Sequence, residues 1–229
     1  MLLTKLRGIL RSKRYELYTR PYELNIIGIR SESIIPNRFD DEIHVFYRVA
    51  PLKWNYHIYK ATTDPGTFWL LNPMQAQGTA ILAQGQYKDA YKIGLHHGMY
   101  KALVEAKPIK VIRDYDRKAV LDFNNGTTSK GMFGINIHRA SLIGTTKQVD
   151  KYSAGCQVFA NSTEFNEFMG LCDKHSSLYG NSFTYTLIDF RAVKRQTIKR
   201  WTIGTVSVAL GLTTLWGILK NKKRKRNGK

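Results

Sequence analysis

The stretch CQVFANSTEFNEFMGLCDKHSSLYG, residues 156–180, changes its periodicity partway along. Its first five residues, Cys156 to Ala160, form a short apolar run bounded by polar residues, which reads as a strand. From Asn161 onward the apolar positions fall at Phe165, Phe168, Met169, Leu171 and Cys172, with His175 in step, which is helical spacing. Asn161 and Glu164 form a capping signature at the start of that helix, and Gly180 is a C-terminal stop. A strand that carries Cys156 is thus followed directly by a helix. Cys172, on the helix's apolar side, reads as a core residue.

Upstream, period-two alternation or short apolar runs mark strands at 22–31, 41–49, 54–62, 66–71, 109–115, 119–123 and 134–138, and downstream at 183–190. Turn chemistry such as TTDPG and DFNNGTTSKG separates them. A second helix is expected near YKALVEA, 100–106. The expected class is therefore β-dominated α+β. A hydrophobic share of 43% with four Trp, thirteen Tyr and ten Phe supports a packed core, and 229 residues suffice for one such core with short appendages.

The net charge of +19 is distributed unevenly. Residues 1–20 hold six Lys/Arg and one Glu, and residues 191–229 hold twelve Lys/Arg and no acid, so residues 21–190 carry only +2. A nearly neutral folded part argues against nucleic-acid recognition, and the basic ends suit anionic lipid headgroups. WTIGTVSVALGLTTLWGIL, Trp201 to Leu219, is nineteen uncharged residues between basic flanks, with Trp near both ends. At 1.5 Å per residue it reads as one membrane-spanning helix, and Ser207 and Gly211 would permit self-association through it. The basic flanks on its two sides are nearly balanced, so orientation stays open. At the other end, Leu2, Leu3, Leu6, Ile9 and Leu10 alternate with basic residues as a short amphipathic helix, on a membrane surface or packed on the domain. Three segments are expected: 1–20, a domain at 21–190, and the span with its basic tail at 191–229.

Two cysteines cannot found a disulfide framework in a chain of this length. His96 and His97, beside His138, lack an H-x-x-x-H spacing or a matching Cys or Asp ligand, so neither a metal nor another cofactor is expected. His44 and His57 alternate with apolar residues and read as polar-face residues of strands. What remains is Cys156. GINIHRA ends a strand on His138, and after a seventeen-residue connection YSAGC opens the next. A reactive thiol needs a base within reach and amides for an oxyanion, and His138 with the backbone at Gly155 and Cys156 could provide them.

This order and spacing resemble the catalytic domain of the L,D-transpeptidase family (YkuD-like), whose signature is a strand-borne His followed by Ser/Thr, usually His, then Gly and the catalytic Cys. The matching positions are His138, Ser153, Ala154, Gly155 and Cys156. YKATTDPGTFWL, 59–70, looks like the family's strand and turn leading to its cleft, so the likeness covers 22–190. GTAILAQGQY and GLHHGMYKALVE are similar to cell-wall-associated phage proteins that carry such a domain. The resemblance implies a β-sandwich with a helix after the cysteine strand. It further implies that Cys156 attacks a stem-peptide amide of peptidoglycan to form a thioester, with His138 as general base and acid and Ser153 and Gly155 as catalytic-site residues. Arg139, Gln157, Tyr152, His96 and His97 would contact substrate. Two departures stand out: Ala154 replaces the usual His, and Gln157 replaces an Arg that commonly follows the Cys, with Arg139 a candidate to supply that charge. The implied protein is a membrane-anchored peptidase or transpeptidase facing the cell wall, with phage lysis or entry, and carriage on a virion, as settings. The alternative is a non-enzymatic peptidoglycan-binding or structural module that keeps the fold.

Overall fold

The computed structural model describes residues 3–124 and 126–190. The expected span at 201–219 and its basic flanks lie outside the described residues. Among the described residues no helix is long and apolar enough to cross a membrane.

Eight strands close into a barrel, and three more form a separate sheet. The strands in chain order are β1 (Asn25–Arg30), β2 (Asp41–Ala50), β3 (Lys53–Thr62), β4 (Thr79–Leu82), β5 (Gly85–His96), β6 (Tyr100–Glu105), β7 (Ile109–Asp114), β8 (Thr128–Gly131), β9 (Ile137–Arg139), β10 (Gln157–Phe159) and β11 (Phe183–Asp189). The barrel runs β1-β11-β5-β6-β9-β10-β3-β2, and the small sheet runs β4-β7-β8. The helices are α1 (Leu3–Ser12), α2 (Thr67–Leu71) and α3 (Ser162–Tyr179). The fold is thus β-dominated with a few helices, as expected. Two packed sheets were expected, whereas the main strands close on themselves, because β1 pairs in parallel with β11 on one side and antiparallel with β2 on the other.

The interior is filled from both ends of the chain: Ile26, Ile43, Val45, Leu103, Ile137, Phe159, Phe183, Tyr185 and Leu187 belong to one buried cluster. α3 seals it with Phe165, Phe168, Met169 and Cys172. Its start is fixed as the sequence indicates, since Asn161 Oδ1 accepts from the Thr163 and Glu164 amides at 2.8 and 3.0 Å. Gly180 ends it at φ +90°. His175 is held as a neutral core group, accepting from the Leu24 amide on Nδ1 at 3.0 Å and donating from Nε2 to Ser182 O at 3.2 Å. At the N-terminus, Leu6 and Leu10 are fully buried, so α1 lays its apolar stripe on the domain and belongs to the compact unit Met1–Phe190.

Three expected elements change type. YKALVE is strand β6, not a helix: Ala102 and Leu103 are both fully buried, which erases the alternation that marks a strand. GTFWLL gives helix α2 in place of a strand, with only Leu70 of its five residues buried. The 119–123 run forms no strand. Its Leu121 packs with Leu70 and Ile81 beneath the small sheet.

Candidate active site

β9 and β10 lie side by side in parallel, with Gln157 beside Ile137, Val158 beside His138 and Phe159 beside Arg139. Side chains alternate along a strand, so Ile137, Gln157 and Phe159 face the barrel interior while His138, Cys156 and Val158 face outward. Carrying the register one residue further sets Cys156 beside Asn136, which places His138 as its diagonal neighbour on the same face.

Cys156 is half-buried, and its thiol donates to the Gly134 carbonyl at 3.6 Å. Desolvation pushes this thiol up to about 11; the nearby Glu105 carboxylate raises it further, and a backbone hydrogen bond from Asn136 works in the opposite direction. Gly155 sits at φ +123°, where a Cβ would lie 2.2 Å from the Ala80 carbonyl oxygen, so β4 runs against the turn and only glycine fits. Ser153 is fully buried, and its hydroxyl donates to Cys156 O at 2.8 Å and accepts from the Gly155 amide at 3.2 Å. Ser153 therefore closes the turn that presents the sulfur. The Gly155 amide, expected as an oxyanion donor, is occupied by that contact. The Cys156 amide has no hydrogen-bond acceptor among the described residues.

His138 is 3% exposed. Its Nδ1 lies 2.8 Å from the Arg139 carbonyl, which can only accept, so the ring's proton sits on Nδ1 and Nε2 keeps its lone pair. Tyr100 Oη, 3.2 Å from both Nδ1 and the Arg139 carbonyl, packs against the same edge. Nε2 is buried without a hydrogen-bond partner among the described residues. Burial, then the neighbouring His96, push His138 down to about 3. His96 stacks on it with centroids 3.9 Å apart and 18° between planes. His96 Nδ1 accepts from Asn136 Nδ2 at 3.0 Å, and burial first, His97 second, push His96 down to about 4. Stacked imidazoles present parallel rather than converging nitrogens, and no cluster of metal ligands occurs among the described residues.

Other expected substrate contacts are dispersed. His97 is exposed in the β5–β6 turn. Tyr152 is 43% exposed on the short helical turn Asp150–Tyr152. Arg139 stacks on the Tyr100 ring at 3.9 Å and lines a cleft of about 270 Å³ with Phe165, Met169 and Asp173, on the α3 side. Gln157, expected to meet substrate, is fully buried inside the barrel. There its Oε1 accepts from Tyr185 Oη at 2.8 Å, and its Nε2 donates to Gly155 O at 3.2 Å. The 3.5 Å contact from the same nitrogen to Thr63 O reaches a buried ionic knot, where Arg30 pairs with Asp64 at 2.7 Å and also donates to Thr63 O. One position of register separates Gln157 from the outward face.

Three residues of this site escape sequence reading. Asn136 joins it together: besides His96 it binds the Glu105 amide through Oδ1 at 3.0 Å and the Gln157 amide through its carbonyl at 2.9 Å. A polar residue two places before His138 in an apolar run is the signal that could have shown it. Glu105 is buried and accepts from the Phe133 and Ile135 amides at 3.0 and 2.9 Å, which holds the loop whose Gly134 carbonyl meets the sulfur. Tyr100 orients the imidazole. The upstream turn docks here as well, through Gly66 N to Ser153 O at 2.9 Å and Trp69 Nε1 to Lys151 O at 3.0 Å. Beside Ala154 opens a second cleft of about 280 Å³, lined by Trp69, Met74, Arg113, Met132 and Phe133 among others, and it shares no lining residue with the Arg139 cleft.

Comparison with protein-family models, with curated proteins and with solved structures finds no match to this chain.

Proposed function

We propose that the chain is a cysteine-dependent peptidase or transpeptidase acting on peptidoglycan stem peptides, held at a membrane by its basic, apolar C-terminal segment. The observation that supports this reading most is the state of His138: its Nδ1 proton is committed to a carbonyl, which leaves an unshared Nε2 lone pair on the face that carries Cys156. That is the tautomer a general base requires. In the reaction, His138 Nε2 takes the thiol proton as sulfur attacks the amide carbon. The Cys156 amide donates to the developing oxyanion, and the imidazolium then returns its proton to the leaving amine, leaving a thioester. Water or a second amine completes the turnover.

At rest the pair is neutral. Burial raises the Cys156 thiol and lowers the His138 imidazole, so the neutral pair is favoured over the thiolate–imidazolium state. Proton transfer therefore accompanies attack, after the S–H leaves the Gly134 carbonyl. The same neutrality, with the thiol bonded away from His138, favours the second reading, a non-enzymatic peptidoglycan-binding module. The two separate on one measurement. Incubation with a carbapenem followed by intact mass is expected to give an adduct on the wild type and none on Cys156→Ala; an unmodified wild type favours the binding module.

A further inference from the structure

The cleft beside Ala154 contains a cation without an anion. Arg113 lies on β7, with its backbone fixed by pairing to Ala80 and by its amide donating to Thr127 O at 2.8 Å. Its Nη1 donates to Gly78 O at 3.2 Å, and its guanidinium lies over the Phe133 ring at 4.9 Å. Nε is buried and has no hydrogen-bond partner, and no carboxylate lies within ion-pair distance of Arg113 among the described residues. A buried charged donor left unsatisfied is costly, and a guanidinium edge is suited to gripping a carboxylate through two parallel bonds. The location adds meaning. Phe133 precedes the Gly134 carbonyl that touches the sulfur, and Ala154 lies two residues before Cys156, so two of the residues lining the cleft are chain neighbours of groups around the sulfur, although Cys156 itself does not line it. Trp69, Met74 and Met132 supply apolar wall, and about 280 Å³ is room for one amino-acid residue, not for a large ligand.

We propose that this cleft is the subsite for a carboxylate-bearing residue of a peptide acyl donor, with Arg113 pairing to the carboxylate. The proposal rests on the reading of Cys156 as the acyl acceptor. It assigns the anion contact to β7, where Arg139 cannot serve because its guanidinium lines the other cleft. Apolar walls then accept the stem of that residue while its carboxylate meets Arg113.

The test uses binding without chemistry. Full-length Cys156→Ala protein is titrated with a short acetylated peptide ending in a free α-carboxylate and with the same peptide amidated, by calorimetry or tryptophan fluorescence. The acid is expected to bind roughly 10- to 100-fold more tightly, the range of a charged hydrogen-bonded pair. Arg113→Gln should abolish the preference, and Arg113→Lys should retain part of it while unfolding with the parent in a thermal melt. Equal binding of acid and amide, no binding of either, or a preference that survives Arg113→Gln overturns the proposal. Competition by inorganic phosphate as effective as the acid peptide would assign a bare anion site and overturn it too. If no carbapenem adduct forms but the Arg113-dependent preference persists, the enzymatic reading and with it the acyl-donor role fail, while the pairing of a peptide carboxylate to Arg113 in this cleft stands. An adduct without that preference reverses the outcome.

Discussion

Cys156 and Cys172 are the same residue type in two settings, sixteen positions apart. Both thiols are pushed up by desolvation. Cys172 is fully enclosed by the barrel's main cluster under α3. Cys156 stands half-buried at the head of a strand, on a glycine turn, diagonal to an imidazole with a spare lone pair and two residues along the chain from Ala154, which lines a cleft. Acidity therefore does not distinguish the two; access and the availability of a base do. The proposed nucleophile is set apart by backbone geometry, not by a pre-formed thiolate.

The largest contrast should appear in alkylation. Iodoacetamide on the native protein is expected to label Cys156 with a rate that climbs toward an apparent pKa near 11, while Cys172 stays unlabelled until denaturant is added, which is a difference of about a thousandfold or more. Labelling of both at similar rates would erase the distinction. Next, His138→Gln should slow carbapenem adduct formation by roughly 10²- to 10⁴-fold, the span of a general base, whereas Cys172→Ala should leave the adduct rate alone and lower stability by about 1 kcal/mol. An adduct rate unmoved by His138→Gln would remove the base from the mechanism. Gly155→Ala combines φ +123° with a 2.2 Å approach to the Ala80 carbonyl and is expected to cost about 2 kcal/mol or more in denaturant melts.

The remaining effect is in pH. His138 and His96 are held at about 3 and about 4, below their ordinary 6.5, so the unfolded chain binds more protons than the folded one below pH 6.5. Their neutrality thus removes stability as pH falls from 6.5 toward 3. Asp114, raised to about 6 by burial, acts in the opposite sense between pH 6 and 4, which partly masks the loss in the wild type. The difference between wild type and His138→Gln isolates the histidine: the variant's stability should fall less steeply on acidification. Parallel curves would mean that His138 titrates alike in both states.

What was legible in the sequence follows from what is local. The α3 helix, its Asn161 cap, the strands around 25–30, 41–50 and 53–62 and the His138–Cys156 spacing all announce themselves within a few residues. Barrel closure does not, because β6 meets β9 through the single pair Leu103–Ile137, and β1 meets β11 about 160 residues away in sequence. β5, Gly85–His96, escaped because its buried positions follow no period of two. The face of Gln157 depended on a register that only the barrel sets. Glu105 and Arg113 reach the site from strands whose own sequences say nothing about Cys156.

The parallel pairing of β9 and β10 has a further consequence. The placement of His138 relative to Cys156 is held by a ladder between two strands, and residues 140–155 of their connection run outside it, with Leu142 and Ile143 exposed. Lengthening such a loop twofold costs only about 0.6 kcal/mol in closure entropy. Insertions around 141–143 would thus add surface to the molecule while the register that sets His138 against Cys156 stays as it is.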